Sequence, residues 1–378
     1  MAEIRRTLAA AVPLLVAALA VIWLRPSALG DDALVWQKTE WHFHPPEGFA
    51  ATEKHGHDEV VPLVNGWLAM VGRLESTGEG FVQLHDEDGR WLWTTLLPDE
   101  DVDYWSEPAA VAVRSSSGAW DLVVSEDDSH YVWRLDAQGK RLWRRRLNTD
   151  IGIVSTRAMA AEDGTVWLGG WAETDDFECG DGAGVVKLDD DGNAVWRWRQ
   201  PGGIFSAADD LLPLGDGRLL VLMDIDVACT RNLESELVLL DSGGEEVARQ
   251  RLPFNPGMRA MIRLADGRIA LLVPRDHTSA VNRLFIVSID EQTSAFAITE
   301  VELDKEFLTG DDFYFLPVAA DRDGGLVFFV GYGLEFLAPT GRIARTEYVP
   351  PEDWRPCWVQ PSKVLCLDQY LLRWIQIP

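Results

Sequence analysis

Four of the seven histidines fall in one short stretch, as His42, His44, His55 and His57. Residues two apart in an extended segment project from the same side, so each His-x-His pair presents two imidazoles together, and imidazole suits zinc, copper or nickel. The separation of the pairs matches no zinc signature, so these four are weak metal candidates beside the plainer account of an exposed loop. Carboxylates form two further clusters: Asp99, Glu100, Asp101 and Asp103, and Glu173, Asp175, Asp176, Glu178 and Asp181. Either would suit a cation or a basic partner; the plainer reading is a solvated, repulsive surface. Asp189-Asp190-Asp191-Gly192 has a calcium loop's composition but not its alternating spacing. No nucleophile elbow, phosphate loop, H-E-x-x-H or dinucleotide fingerprint is present. No catalytic residue and no cofactor is assigned, although 61 acidic residues leave a glycosidase-type carboxylate pair open.

The four cysteines are Cys179, Cys229, Cys357 and Cys366. If Pro361-Ser362 forms a two-residue hairpin loop, Gln360 pairs with Lys363 and Cys357 stands opposite Cys366. That is a non-hydrogen-bonded site, where Cα atoms lie ~4.5 Å apart, at the short end of what a disulfide accepts. A Cys357–Cys366 bridge is expected, with two buried thiols as the alternative. Cys179 and Cys229 fall in long connections of successive repeat units, and a Cys179–Cys229 bridge would link neighbours. Neither pair has the C-x-x-C spacing of redox or zinc motifs.

The elements that would position these residues begin after a leader. Arg5-Arg6 precedes an uncharged, mostly apolar run from Thr7 to Leu24. This run is marginal for a spanning helix and long for a cleaved signal. Residues 1–30 are therefore a signal peptide or a membrane anchor, with Ala28-Leu29-Gly30 a weak cleavage site. The arginines should stay cytoplasmic, so residues 31–378 are expected to be periplasmic or extracellular, tethered to the inner membrane by residues 7–24 if the leader stays. An even cysteine count suits an exported chain. The chain carries a net charge of −27, which argues against nucleic-acid binding and against an anionic membrane surface.

Residues 31–378 read as one repeating domain. Leu or Ile, Asp and a short turn recur with Asp at 86 (after an intervening His85), 136, 189, 241 and 290 and with Ala at 338, and the turn carries Gly in every copy but that at Asp290. Trp93, Trp143 and Trp196 each follow the turn glycine by four residues. A second tight turn sits in each unit: Asn65-Gly66, Ser117-Gly118, Asp163-Gly164, Asp216-Gly217, Asp266-Gly267 and Asp323-Gly324. Both turn types are strong hairpin signals between apolar runs. A period near fifty, read as strand, turn, strand, loop, strand, turn, strand, is a β-propeller blade. The recurring tryptophans are expected to wedge between blades.

The chain ends supply the closure. Arg355–Gln360, Lys363–Asp368 and Tyr370–Ile375 make three strands, and an orphan strand, Ala33–Lys38, comes after the leader. The expected fold is all-β: a seven-bladed β-propeller of four-stranded antiparallel blades, closed by an N-terminal strand, with an N-terminal hydrophobic helix. Closure would hide strand edges that otherwise template aggregation. Both glycine turns of a unit then lie on one face, and the long connections Trp41–Asp58, Trp171–Gly184, Met223–Glu236, Pro274–Asn282 and Leu303–Asp312 gather on the other.

The phrase carried by Leu135–Trp143 and Leu188–Trp196 resembles the repeat of quinoprotein-like (PQQ-like, WD40-like) β-propellers. That superfamily includes quinone-dependent dehydrogenases and noncatalytic exported scaffolds. The dehydrogenases hold their quinone under adjacent cysteines, and no two cysteines are adjacent here. The resemblance therefore implies the noncatalytic exported branch: a monomeric binding or assembly scaffold at the cell envelope, taking a protein or small-molecule ligand on the long-loop face. It would meet the membrane only through its N-terminal segment. The alternative is a propeller enzyme, hydrolase or quinone-dependent dehydrogenase, with an acidic central pocket.

Overall fold

The computed structural model describes most of residues 55–301, apart from intervening loops. Outside that span it describes strands at 37–40, 319–320, 326–330, 333–337, 343–348, 357–360, 363–368 and 371–376. The regular elements among these residues are β-strands, and no α-helix occurs.

Strand β1 (Gln37–Glu40) precedes the first complete sheet. Strands β2 (His55–Pro62), β3 (Leu68–Leu74), β4 (Gly80–His85) and β5 (Trp91–Leu97) pair in chain order into an antiparallel sheet. The next sheet is β6 (Pro108–Arg114), β7 (Trp120–Glu126), β8 (Tyr131–Leu135) and β9 (Arg141–Arg146), and after it β10 (Val154–Ala160), β11 (Val166–Ala172), β12 (Gly182–Leu188) and β13 (Ala194–Arg199). Then come β14 (Phe205–Pro213), β15 (Leu219–Asp226), β16 (Leu233–Leu240) and β17 (Glu246–Arg251), and after them β18 (Ala260–Arg263), β19 (Ile269–Val273), β20 (Arg283–Ile289) and β21 (Phe296–Val301). A further sheet is β22 (Ala319–Ala320), β23 (Leu326–Val330), β24 (Gly333–Leu337) and β25 (Ile343–Tyr348). Finally β26 (Cys357–Gln360), β27 (Lys363–Asp368) and β28 (Leu371–Gln376) pair in order, and β1 lies antiparallel to β28 with Gln37 opposite Trp374 and Glu40 opposite Leu371.

The turn chemistry works as the residue types dictate. Gly66, Gly118, Gly164, Gly217 and Gly267 join first to second strands, and Gly89, Gly139, Gly192 and Gly244 join third to fourth; all have positive φ. The fifth sheet has no glycine in its third-to-fourth turn, and Ser294 takes the left-handed conformation instead, at φ 58. In three of the third-to-fourth turns the opening Asp accepts backbone N–H bonds two and four residues on: Asp136 from Gln138 and Lys140, Asp189 from Asp191 and Asn193, and Asp241 from Gly243 and Glu245. The aspartates of the repeat are thus turn-forming groups.

The apolar core lies between sheets, because a sheet covered on both faces needs apolar residues on both. Strands β4 and β12 are buried along their whole length. One cluster joins Val113, Val123 and Val132 to Val166, Leu168 and Val186 of the next sheet. Another joins Val185 and Trp167 to Val221 and Val238 of the sheet after that, and similar clusters bridge β2–β5 to β6–β9 and β14–β17 to β18–β21.

Tryptophan fastens each of three successive interfaces at its outer end, as the wedge reading expects. The indole N–H groups of Trp93, Trp143 and Trp196 donate to Ala137, Asp190 and Ser242 carbonyls in the next sheet's turn, at 2.9, 2.7 and 3.1 Å. The indoles lie against the turn glycines: a Cβ on Gly139, Gly192 or Gly244 would sit within 2.6, 2.8 and 2.5 Å of the ring atoms.

Strand limits differ from the sequence reading at several places. The N-terminal strand pairs over Gln37–Glu40, later than Ala33–Lys38. The expected connection Trp171–Gly184 begins after Ala172 and ends before Gly182, and Met223–Glu236 narrows to the residues between Asp226 and Leu233. Met223 and Ile225 are buried whereas Asp224 between them is half-buried, so the strand alternates faces at Asp224. Trp41–Asp58 likewise loses its last residues to β2, which starts at His55.

Candidate functional site

The fourth strand of each sheet is its free edge, and there the repeat does something beyond packing. In four consecutive sheets the pairing of third with fourth strand slips by one residue: between Leu84 and His85, Arg134 and Leu135, Lys187 and Leu188, and Leu239 and Leu240. The extra residues are Leu92, Leu142, Val195 and Val247. A bulge re-aims the side chain it inserts, and these four apolar side chains are 41%, 49%, 56% and 44% exposed. Trp91, beside Leu92, is 46% exposed. A large apolar side chain recurring at one exposed position in four units is a patterned surface, unlike scattered exposed leucines.

Arginine accompanies the row. Strand β9 reads Arg-Leu-Trp-Arg-Arg-Arg, β13 adds Arg197 and Arg199, and β17 adds Arg249 and Arg251. Several of these tie the structure together. Arg145 donates to the Asp191 and Gly192 carbonyls, and Arg199 to the Gly152 carbonyl. Arg249 bonds to Glu236, Glu246 and Gln200. Its hydrogen bond holds the Glu246 carboxyl below the usual carboxylate range against the opposing effect of partial burial, and Glu246 in turn raises Arg249.

Charged groups between the sheets serve packing too. Arg134 is buried, with its Nε 2.9 Å from Asp121 and its Nη1 3.0 Å from Asp190 of the next sheet. Burial raises the Asp121 carboxyl despite Arg134 beside it. The equivalent Lys187 lies 3.0 Å from Asp163 and over the Trp167 ring. Partial burial alone would raise Asp163, but bonds from Thr165 and Lys187 hold it below the ordinary range. His85 is buried and bonded on both ring nitrogens, to Gln83 at 2.7 Å and to the Gly89 carbonyl at 3.0 Å.

Of the sequence candidates, His55 and His57 lie on β2, where the register against β3 shifts between Gly56 and Glu59; His42 and His44 lie outside the described residues. Among the described residues no group of three or more His, Cys, Asp or Glu side chains is placed to hold a metal ion. Cys357 stands opposite Cys366 in the β26–β27 register, and Gln360 opposite Lys363, as the two-residue loop requires. Cys179, Cys229, both acidic loop clusters and the leader lie outside the described residues. Among the described residues no helix is long and apolar enough to cross a membrane. The outer-strand row escaped sequence reading because a bulge is a backbone event; its signal was the apolar residue just before each recurring tryptophan.

No family model and no curated protein matches the chain. Among solved structures it is similar to the WD40 domain of Neurospora crassa Pan2, with 8% identity, TM-score 0.54, and 92% of this chain and 97% of that one covered. It is also similar to PorZ of Porphyromonas gingivalis, with 13% identity and TM-score 0.52, over 84% of this chain and 46% of that one. The fold is a β-propeller. These likenesses extend to the fold alone, and the chain spans less than half the length of PorZ. Within the propeller, the bulged outer strands form a patterned rim, and their arginines stand out in a chain of net charge −27.

Proposed function

We propose that the chain is an exported, noncatalytic seven-bladed propeller that acts as a monomeric binding or assembly scaffold at the cell envelope. The observation that carries the scaffold reading is the row Leu92, Leu142, Val195 and Val247, half-exposed at one repeat position in four sheets. Repeated apolar exposure of this kind suits a protein partner. Seven blades and closure are supported by the antiparallel pairing of β1 with β28 and by contact of first strands in chain order from β2 to β22, with β26 reaching β23 on one side and β2 on the other. Export rests on the leader, residues 1–30, and tethering on residues 7–24. PorZ, a bacterial surface component of a secretion system, lends support to an envelope location. Bridges Cys357–Cys366 and Cys179–Cys229 would suit that location; the first is supported by the β26–β27 register. The long-loop face, with its acidic clusters, is a second contact surface for a protein or small-molecule ligand.

Photo-crosslinking amino acids placed at Leu142 and Val195 on the rim, at Glu178 on the loop face and at Asp216 on the glycine-turn face test the reading in an envelope preparation. A discrete protein adduct from the rim or loop positions, with none from Asp216, is expected. No adduct from any position, together with a quinone absorbance band or calcium-dependent turnover, would favour the enzyme alternative.

A further inference from the structure

One part of the rim is built differently from the rest. Arg144 lies with its guanidinium carbon 4.3 Å from the Tyr131 ring centroid and 5.3 Å from that of Trp133, and Arg141 lies 5.6 Å from Trp133. Trp133 is 2% exposed and packed in the core between the first two full sheets, so the aromatic platform is fixed. Both arginines are exposed. Neither has a carboxylate partner among the described residues, in contrast to Arg134, Arg249 and Arg283. Two like charges over one buried ring repel each other, and the aromatic faces offset only part of that. An anionic group placed between them would relieve it.

We propose that edge strand β9 is a docking edge for an extended acidic segment of a partner protein, with Arg141 and Arg144 receiving its carboxylates and Leu142 its apolar side chain. Three observations fix the occupant. Strand β9 ends its sheet, so its outward backbone groups can pair with an added strand. Arginine on an edge disfavours pairing with a neutral strand and repels a basic one, and the same guanidiniums attract carboxylates bidentately. Screening within ~8 Å at physiological salt confines this attraction to a short segment, and a long polyanion would meet the net repulsion of a chain at −27. The inference rests on the scaffold reading only in treating the chain as a binder, and it is independent of the loop face.

The test is fluorescence anisotropy of the full chain with a fluorescein-labelled hexapeptide of alternating valine and glutamate. Its lysine counterpart and a labelled oligothymidylate serve as competing probes. The acidic peptide should bind, more weakly as salt rises. The double variant Arg141→Gln/Arg144→Gln should weaken it about tenfold or more, whereas Arg268→Gln, which removes one positive charge from a distant turn, should not. Should the double variant fail to fold, Leu142→Glu at an already exposed site should produce the same loss. Equal affinity in the β9 variants, no binding to the wild type, or tighter binding of the lysine peptide or oligothymidylate would overturn the proposal. Loop-face adducts at Glu178 would be untouched by that failure, so the two readings fail separately.

Discussion

Single residues at the sheet interfaces decide how rigidly the sheets meet. Gly192 has φ 74 and a Cβ there would lie 2.8 Å from the Trp143 ring, whereas Gly118, at φ 82, has nothing within 4 Å. Gly118→Ala therefore costs only the left-handed backbone, about 1 kcal/mol, while Gly192→Ala adds displacement of a wedged indole and should cost roughly 2–4 kcal/mol. Urea titration of both variants separates the terms, and equal losses would count against the wedge. Protonation acts at the same scale. The folded Glu246 carboxyl titrates below its unfolded range because Arg249 bonds to it. Its contribution is full above the unfolded pKa and is lost as pH falls through the folded one. Stability should thus drop on acidification from neutral pH, and Arg249→Gln should flatten the acid limb by up to about 1 kcal/mol, the modest figure suiting a partly exposed pair. An unchanged acid limb in that variant would remove Glu246 from the account.

At the scale of elements, most of the strands and turns were legible in the sequence because their causes are local. Asp–Gly and Asn–Gly turns specify hairpins by themselves, and the positive φ values at Gly66, Gly118, Gly164, Gly217 and Gly267 fall where the turn pairs stand. The two-residue loop at Pro361-Ser362 set the Cys357–Cys366 register correctly. The features that stayed hidden depend on contacts between strands. Arg134 and Lys187 are buried against carboxylates of their own sheets, Lys187 also over the ring of Trp167 on the paired strand, and Arg134 reaches Asp190 of the next sheet. The bulges that expose Leu142 and Val195 were invisible for the same reason, since they appear only when two strands are aligned. Register also makes a chemical prediction for the proposed bridge: the chain purified under oxidising conditions and denatured without reductant should resist alkylation at Cys357 and Cys366 and accept it after reduction. Alkylation of both before reduction would show free thiols and remove the proposed bridge.

Across the whole molecule, the repeat phase carried more information than any motif, because a period near fifty constrains topology while single acidic or histidine clusters constrain little. The core clusters among the described residues each bridge two adjacent sheets, so an array left open would expose two apolar faces. Strand β1 occupies the outer edge of the last sheet. Deleting residues 31–40 should therefore lower the melting temperature and promote association, with faster hydrogen exchange first in Leu371–Gln376. Uniform exchange across all sheets in that truncation would speak against a local role for β1.

The most direct test of the ring is the distance between its two ends. Spin labels at Lys38 and Arg373, opposite each other in the β1–β28 register, should give one narrow population at the short limit of a pulsed dipolar measurement in the full chain. A broad or long distribution would mean that the first strand does not fasten the last sheet, and would contradict the closed propeller on which the functional reading stands.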